Sequence, residues 1–452
     1  MDENMTVIEQ YRDAVEHLYR SRTSQSAALH EQAKAVLPGG VTRFTNFYPP
    51  YPLTMVAAKG CMLLDADGHD YLDFVGNYGS LIHGHTNPAI LEAVRAQLGK
   101  GTAIAASIPE HTRFAQMLCA RIPSAEMVRF CNSGLEATMY ALRVARAYSG
   151  KSGFIKMQGG YHGLHDAVEF STSAQGPDSV MQPNCPGIAP SAANEIFVVP
   201  FNDLAAVETT LQTHGSHIGT IMLEPVMGAA GMILPAPGYL QGLRALADKY
   251  QCVLIFDEIQ TLRMGEGGAQ ALYGVTPDLT TIAKIIGGGF PVGAVCGLRK
   301  VMSLFDPSSS GVVNHGGTFS GNNISLVAGL KAMELLDGAA ITRLESLSAA
   351  LEQGIQNALS QLHSPCVVTR AGSMLHIHFA RQAPQRAEPA APYAAGLYRV
   401  LHVSLLNNGV FISPRGTLYV STAMNAEHIA LATRTIEAAV PAMNAFLAEQ
   451  KQ

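Results

Sequence analysis

The chain has 452 residues, of which 48% are hydrophobic and 14% charged, and its formal net charge is −5 at pH 7. A length above roughly 300 residues predicts at least two domains, and this apolar content indicates a folded protein rather than a disordered one. The balance of 30 basic and 35 acidic residues provides no basic footprint for nucleic acid, so we expect no nucleic-acid partner.

Targeting signals and disulfides are not expected from this sequence. No stretch approaches the ~18 consecutive apolar residues that a membrane helix needs. The acidic start, Met1-Asp2-Glu3-Asn4, lacks the basic and apolar regions of a secretory signal. Seven cysteines are scattered along the chain without a CxxC spacing. We therefore predict a cytoplasmic protein with reduced thiols and no membrane association.

The predicted elements change in character along the chain. One or two polar helices from about residue 6 to residue 37 end at Pro38-Gly39-Gly40. Two alternating runs around Asp67-Gly68 predict a β-hairpin. From about residue 87 to residue 304, short apolar runs alternate with helical segments. This alternation favours an α/β fold with right-handed βαβ units and a mostly parallel sheet that helices cover on both faces.

The last part of the chain has a different pattern. Helical segments at 325–336, at 340–362 and from residue 426 surround strands near Val367 and Leu375, which predicts a smaller α+β domain. We therefore divide the chain into an N-terminal segment at 1–86 that joins the small domain, a large domain at 87–324, and a C-terminal small domain at 325–452.

The first candidate site is Asn132-Ser133-Gly134-Leu135, where an apolar run turns into a helical pattern. The free N–H groups and the positive end of the helix dipole make such a turn an anion site, and the Ser133 hydroxyl adds a donor. A serine before a helix is more often only an N-cap. A second glycine-flanked hydroxyl site, around Thr318 in His315-Gly-Gly-Thr-Phe-Ser-Gly321, could also reach a phosphate.

Two further turns follow apolar runs. Gly159-Gly160-Tyr161-His162-Gly163 presents an aromatic ring that could stack on a flat cofactor. His162, with His165 and Asp166, also offers metal ligands, but no further ligand spacing supports zinc, and we predict no metal. Glu224 precedes a proline at the end of another run, where it is either a buried site carboxylate or an ordinary capping glutamate.

The segment Val253-Leu-Ile-Phe-Asp257-Glu-Ile259 ends an apolar run in two carboxylates, and Lys284 follows the next apolar run, just before Gly287-Gly-Gly. This order suits an enzyme that holds pyridoxal 5′-phosphate (PLP). A carboxylate keeps the pyridine nitrogen protonated, and the lysine carries the aldehyde as a Schiff base. The three glycines could also suggest a dinucleotide loop, but the GxGxxG pattern is missing.

With these motifs in this order, the chain resembles the fold-type I, class III PLP aminotransferases, on the branch shared with glutamate-1-semialdehyde aminomutase. The resemblance extends from about Pro38 to Met424. It implies an obligate homodimer with shared active sites, in which Lys284 and Asp257 are catalytic. The implied cofactor contacts are Ser133, Gly134, Leu135, Tyr161, His162, Glu224, Asp257, Ile259, Lys284 and, from the neighbouring subunit, Thr318. Leu135 departs from the threonine common in the family, which removes one phosphate hydrogen bond.

The substrate prediction depends on Arg43 and Arg415, each in a turn, because arginine forms a bidentate fork to a carboxylate. Around them the chain is most similar to the β-phenylalanine aminotransferases, which implies that Arg43, Tyr78 and Arg415 bind substrate. We therefore predict a transaminase that moves an amino group from a β-amino acid, preferably aromatic, to a 2-oxo acid such as 2-oxoglutarate or pyruvate. Three alternatives stay open: an aminomutase-type isomerase, a D-α-amino acid transaminase, and a catalytically idle cofactor-binding scaffold.

Overall fold

The computed structural model describes residues 7–172, 180–388 and 391–449. The helices are α1 Val7–Arg22, α2 Ser24–Lys34, α3 Gly76–Gly79, α4 Pro88–Leu98, α5 Pro109–Arg121, α6 Gly134–Ser149, α7 Leu204–His214, α8 Tyr239–Lys249, α9 Gly268–Tyr273, α10 Arg299–Met302, α11 Asn323–Leu335, α12 Gly338–Ala358, α13 Ala394–Asn407 and α14 Ala426–Glu449. The strands are β1 Met55–Lys59, β2 Met62–Asp65, β3 Asp70–Asp73, β4 Met127–Cys131, β5 Gly153–Met157, β6 Phe170–Thr172, β7 Met181–Pro183, β8 Ile196–Val199, β9 Ile218–Leu223, β10 Val253–Asp257, β11 Leu279–Ala283, β12 Gly293–Gly297, β13 Val367–Ala371, β14 Met374–His378, β15 Val410–Phe411 and β16 Thr417–Tyr419.

The chain forms two compact units. Unit 1 comprises Met1–Asn87, Arg343–Ala383 and Pro389–Gln452, and unit 2 comprises Pro88–Thr342 with Pro384–Glu388. Within the described residues, no helix combines the length and the apolarity that crossing a membrane requires.

Unit 2 is built on a seven-stranded sheet in the order β4-β12-β11-β10-β9-β5-β8. Only β12 runs antiparallel to its neighbours, β11 and β4, so the prediction of a mostly parallel sheet is confirmed. The exception has a simple cause. A parallel crossover needs a dozen or more residues, and the connection from Lys284 to Val292 is too short to provide one, so the chain returns beside β11 in the opposite direction.

The central strands of this sheet are largely apolar because both faces of the sheet are covered. In β10, all five residues are buried. Val253 and Ile255 belong to the core that contains α6, whereas Leu254 and Phe256 belong to the core that contains α7 and α8. Side chains alternate between the faces of a strand, and each fully buried side chain of this size contributes about 1.5–3 kcal/mol. The buried residues of β10 therefore fix the end of this strand, and with it Asp257, within the sheet.

Unit 1 contains a four-stranded sheet, β1-β2-β3-β15, and a three-stranded sheet, β13-β14-β16. The predicted hairpin is confirmed, since β2 and β3 pair antiparallel and Gly68 in their turn has φ 87. The polar helices α1 and α2 also form as predicted. Helix α13 was not predicted, because the buried residues His402, Ser404 and Asn407 interrupt its apolar pattern.

Candidate active site

The predicted cofactor residues follow the carboxyl ends of the parallel strands in unit 2. The carboxyl ends of parallel strands meet at one edge of a sheet, where α/β proteins bind ligands. Strand β4 shares this direction, because β12 is antiparallel to both β4 and β11. Five strand ends thus present their candidates at one edge: Ser133 and Gly134 after β4, Tyr161 and His162 after β5, Glu224 after β9, Asp257 at the end of β10, and Lys284 after β11.

Asp257 is buried, and both of its oxygens are engaged. Oδ1 accepts hydrogen bonds from Thr281 Oγ1 at 3.0 Å and from the Ile259 backbone N–H at 3.2 Å. Oδ2 lies 2.8 Å from Nδ1 of His162, which is also buried. These hydrogen bonds fix the orientation of the carboxylate. The other ring nitrogen of His162, Nε2, has no protein partner within the described part of the chain.

Lys284 begins the turn after β11 with φ 52, a left-handed conformation that a side chain disfavours. Such strain costs on the order of 1–3 kcal/mol and concentrates at functional sites. Burial lowers the pKa of the Lys284 ammonium, while the negative charges of Asp257 and Glu224 oppose that shift. A lowered pKa raises the fraction of neutral amine, which is the form that acts as nucleophile or base.

The turn from β4 into α6 has an open anion-binding end. Ser133 is the N-cap, and its hydroxyl accepts from the Glu136 N–H at 3.1 Å. The ordinary capping role is therefore filled, yet the hydroxyl proton can still be donated. The N–H groups of Gly134 and Leu135 open the helix and have no helical acceptor. A Cβ at Gly134 would lie 2.7 Å from Cδ1 of Ile259, so only glycine lets that side chain lie against the turn.

Glu224 anchors the turn that carries Tyr161. Its Oε1 accepts from the Tyr161 N–H and its Oε2 from the Gly228 N–H, both at 3.0 Å. The carboxylate is buried, and this desolvation raises its pKa. The Tyr161 side chain remains 47% exposed, which leaves its ring accessible for stacking. Thr318, in contrast, lies exposed on the segment from His315 to Gly321.

The residues predicted to bind substrate lie in unit 1. Arg43 donates from Nη2 to Asn77 Oδ1 at 2.7 Å and from Nε to Asn46 Oδ1 at 2.9 Å, and its guanidinium lies 5.3 Å from the ring centroid of Tyr78. Arg43 and Tyr78 line a cavity of about 540 Å³. Arg415 is exposed and does not line this cavity.

Asn77 was missed by the sequence analysis. It orients Arg43, and together with Tyr78 it has a positive φ, 49° and 56° respectively. Two consecutive side-chain-bearing residues in the left-handed region mark a strained turn. The glycines on either side, Gly76 and Gly79, were the only signal for it in the sequence.

The groups at the edge of the unit 2 sheet fit PLP. They combine a helix N-terminus for a phosphate, a buried carboxylate for a pyridinium nitrogen, an accessible aromatic ring, and a lysine of lowered pKa for an aldehyde. Among the described residues, no group of three or more His, Cys, Asp or Glu side chains has the arrangement of a metal site.

Comparisons with known proteins agree with this fit. The family model described as aminotransferase class-III matches residues 45–440. Glutamate-1-semialdehyde 2,1-aminomutase of Methanothermobacter thermautotrophicus is 39% identical over 92% of this chain and 98% of its own. A crystal structure of an omega-transaminase from Sphaerobacter thermophilus has a TM-score of 0.90 and 39% identity, covering 94% of this chain and 99% of its own. A beta-phenylalanine aminotransferase from Variovorax paradoxus has a TM-score of 0.86 and 32% identity, covering 95% and 97%.

The prediction of a β-amino acid donor is wrong by these comparisons. Curated relatives at 37–39% identity over most of the chain are glutamate-1-semialdehyde 2,1-aminomutases, which favours the isomerase alternative. The prediction gave too much weight to Arg415, which lies exposed in its turn. An arginine in a turn is often only a solvated residue, and short loop similarities decide less than identity along the whole chain.

Proposed function

The chain belongs to the class III aminotransferases, so it is a PLP-dependent enzyme, and from that premise we propose that it is an aminomutase-type isomerase. The proposed substrate is an amino aldehyde that also carries a carboxylate, of the glutamate 1-semialdehyde type. The enzyme moves the amino group to the neighbouring carbon of the same molecule and needs no external amino acceptor.

One observation carries this proposal. The aminomutase of Methanothermobacter thermautotrophicus is similar along 98% of its own length, so the likeness includes both units and is not limited to the cofactor motifs. The buried Asp257 and the lysine of lowered pKa at Lys284 support an active catalyst rather than an idle scaffold.

The proposed cofactor contacts are those at the edge of the unit 2 sheet. Lys284 would bind the aldehyde carbon, Asp257 the pyridinium nitrogen, and the turn at Ser133, Gly134 and Leu135 the phosphate. His162 would orient Asp257. The remaining proposed contacts are Tyr161 and Ile259 on the ring, Glu224 beneath the Tyr161 turn, and Thr318 from a second copy of the chain.

When bound, PLP supplies an electron sink that stabilises negative charge on the carbon next to the substrate nitrogen. The protein moves the proton. Nζ of Lys284 would act as the base that takes the proton from the substrate carbon carrying the amino group and, once protonated, as the acid that returns it. The lowered pKa of Lys284 favours this role, because it raises the fraction of neutral amine, which is the form that can take a proton.

We also propose a homodimer with shared sites. The support is the exposure of Thr318 and of the adjacent Phe319, which is 60% exposed. Phenylalanine is enriched at protein interfaces relative to the rest of the protein surface. In the proposed dimer, Thr318 of each copy donates to the phosphate bound by the other.

The decisive experiment follows glutamate 1-semialdehyde and its isomer by chromatography with the PLP-loaded enzyme and no 2-oxo acid present. One molecule of product, with the amino group on carbon 1, should form for each molecule consumed. Lys284→Ala should form none. A strict requirement for an added 2-oxo acid, with its amination in equal amount, would overturn the isomerase proposal and leave intermolecular transfer.

Arg43 is the proposed ligand for the substrate carboxylate. Asn46 and Asn77 hold its guanidinium at 2.9 and 2.7 Å, and the Tyr78 ring supports one face. A fork held in this way loses little entropy when it binds a carboxylate. Tyr78 would confine the substrate beside it, and Arg415 is proposed only as a weaker second contact.

A further inference from the structure

The segment from His315 to Gly321 is tied to α6 by the side chain of Tyr140. The Tyr140 hydroxyl donates to the Gly316 carbonyl at 2.9 Å and accepts from the Gly316 N–H at 3.3 Å. One side-chain hydroxyl therefore uses both polar groups of the first glycine in the Gly316-Gly317 pair. A double glycine has the largest backbone freedom in a chain, and this contact removes much of it at one residue.

The ring of Tyr140 is itself fixed. It is buried, with 7% of its surface exposed, and lies 4.5 Å from the His315 ring centroid and 6.4 Å from that of Phe305. The Arg143 guanidinium lies 5.4 Å from the Tyr140 ring centroid. With the ring held by these neighbours, the hydroxyl has a defined position, and so does the backbone bound to it.

The other end of the segment is held separately. Asn132 Nδ2 donates to Ser320 Oγ at 3.4 Å, and Asn322 caps α11 by accepting from the Ile324 and Ser325 N–H groups at 3.0 and 3.2 Å. Between the two attachments, the three residues from Gly317 to Phe319 are exposed. The segment is thus a strap with fixed ends and an exposed tip that carries Thr318.

We propose that Tyr140 is a positioning residue that presents Thr318 to the phosphate bound by a second copy of the chain. The inference rests on the proposed homodimer. Helix α6 then has two roles. Its first turn binds the phosphate in its own subunit, and Tyr140, further along the helix, positions Thr318 for the phosphate in the second subunit. Without the Tyr140 contact, Gly316 and Gly317 would lose conformational entropy each time Thr318 binds the phosphate. That cost would lower the affinity for the phosphate.

Tyr140→Phe is the test variant, because it keeps the ring contacts and removes both hydrogen bonds. The measurement is the equilibrium affinity of the dimer for PLP and, separately, for pyridoxal, which lacks the phosphate. Tyr140→Phe should weaken PLP binding about 3- to 10-fold and leave pyridoxal binding unchanged. Equal weakening of both would mean a general structural role and would overturn the inference.

The matched control is Tyr239→Phe. Tyr239 is also buried in unit 2, and its hydroxyl donates to Met157 Sδ at 3.3 Å, outside the strap. This change should leave the ratio of the two affinities as it is in the unaltered enzyme. If the control shifted the ratio as far as Tyr140→Phe, the effect would not be specific to the strap, and the inference would fail.

Thr318→Ala separates the inference from the proposed dimer site. It should lower the PLP affinity without changing the pyridoxal affinity, and adding Tyr140→Phe to it should cause little further loss, because both changes act through one contact. If Thr318→Ala left PLP binding unchanged, the proposed contact between Thr318 and the phosphate of the second subunit would be refuted. A loss with Thr318→Ala but none with Tyr140→Phe would refute only the positioning role.

Discussion

Nδ1 of His162 lies 2.8 Å from Oδ2 of Asp257, and both side chains are buried. The contact joins the turn after β5 to the end of β10. Since Nδ1 faces a carboxylate, it carries the proton in this contact. Asp257 then has a donor on each oxygen, and these hydrogen bonds hold its side chain in one orientation.

Asp257→Asn should leave the fold intact and slow the proton transfer by on the order of 10³ or more, because the charge that holds the pyridine proton is lost at a buried site. Single-turnover absorbance changes after mixing with substrate measure this rate. The control is Glu258→Gln. Glu258 already accepts from Ala269 N, Gln270 N and Thr261 Oγ1, so its replacement should lower stability more than the rate. If Glu258→Gln slowed the proton transfer more than Asp257→Asn did, Glu258 would be the partner of the pyridine nitrogen.

Lys284 should be the residue that carries the cofactor. After reduction with borohydride, peptide mass spectrometry should find the adduct on Lys284. Lys284→Ala should retain PLP through phosphate contacts but lose turnover by many orders of magnitude. Lys156 is the informative comparison, because burial also lowers its pKa, to about 8. An adduct on Lys156 would refute the assignment.

Gly134→Ala should weaken PLP binding, because the new Cβ would lie 2.7 Å from Ile259 Cδ1 and displace that side chain. Ile259→Val removes the clashing atom. The double variant should therefore bind PLP more tightly than Gly134→Ala alone, as measured by equilibrium titration. No recovery in the double variant would show that the harm arises at the helix N-terminus itself.

Arg43→Ala should raise the KM for the carboxylate-bearing substrate about 10- to 150-fold, the range expected for loss of a charged hydrogen-bonded pair. Arg43→Lys should recover only part of this, because lysine lacks the fork. Arg415→Ala, the exposed comparison, should have a smaller effect. Small and equal effects of both alanine variants would mean that neither arginine binds substrate.

Acidification should destabilise the protein through buried histidines. Burial lowers the pKa of His376 and of His402 to about 3 in the folded state, below the ~6.5 of an unfolded chain. Between these values the unfolded state binds more protons, so stability is present above about pH 6.5 and is lost as the pH falls toward 3. The slope is about 1.4 kcal/mol per histidine for each pH unit.

His402→Phe tests this origin, because His402 packs edge-on against Tyr48 with centroids 4.6 Å apart and a ring can replace it. The difference in thermal midpoint between pH 7.5 and pH 5.5 should shrink in this variant. Replacement of the exposed His17 by alanine should leave the difference unchanged. If His402→Phe left the difference in thermal midpoint between the two pH values unchanged, His402 would not be a source of the acid sensitivity.

Much of the framework could be predicted because it depends on local pattern. The apolar run ending in Asp257 and the turn after residue 131 are continuous in sequence, and parallel strands bring their ends together. The His162–Asp257 and Tyr140–Gly316 contacts could not be predicted, since 95 and 176 positions separate the partners. The direction of β12 also could not be predicted from its residues, because its apolar run resembles those of the parallel strands. Only the short connection between β11 and β12 indicates that β12 runs antiparallel.

The position of β12 between β4 and β11 limits where the chain can accept insertions and deletions. Neighbouring strands lie about 4.8 Å apart, so β12 separates the phosphate turn from the lysine by roughly two strand spacings. Gly293 pairs with Cys131 on one side and Ala283 on the other. An inserted or deleted residue within β12 would shift its register with both neighbours at once. We therefore expect natural and engineered variants of different length to tolerate changes in surface loops such as 306–312 but not between residues 293 and 297.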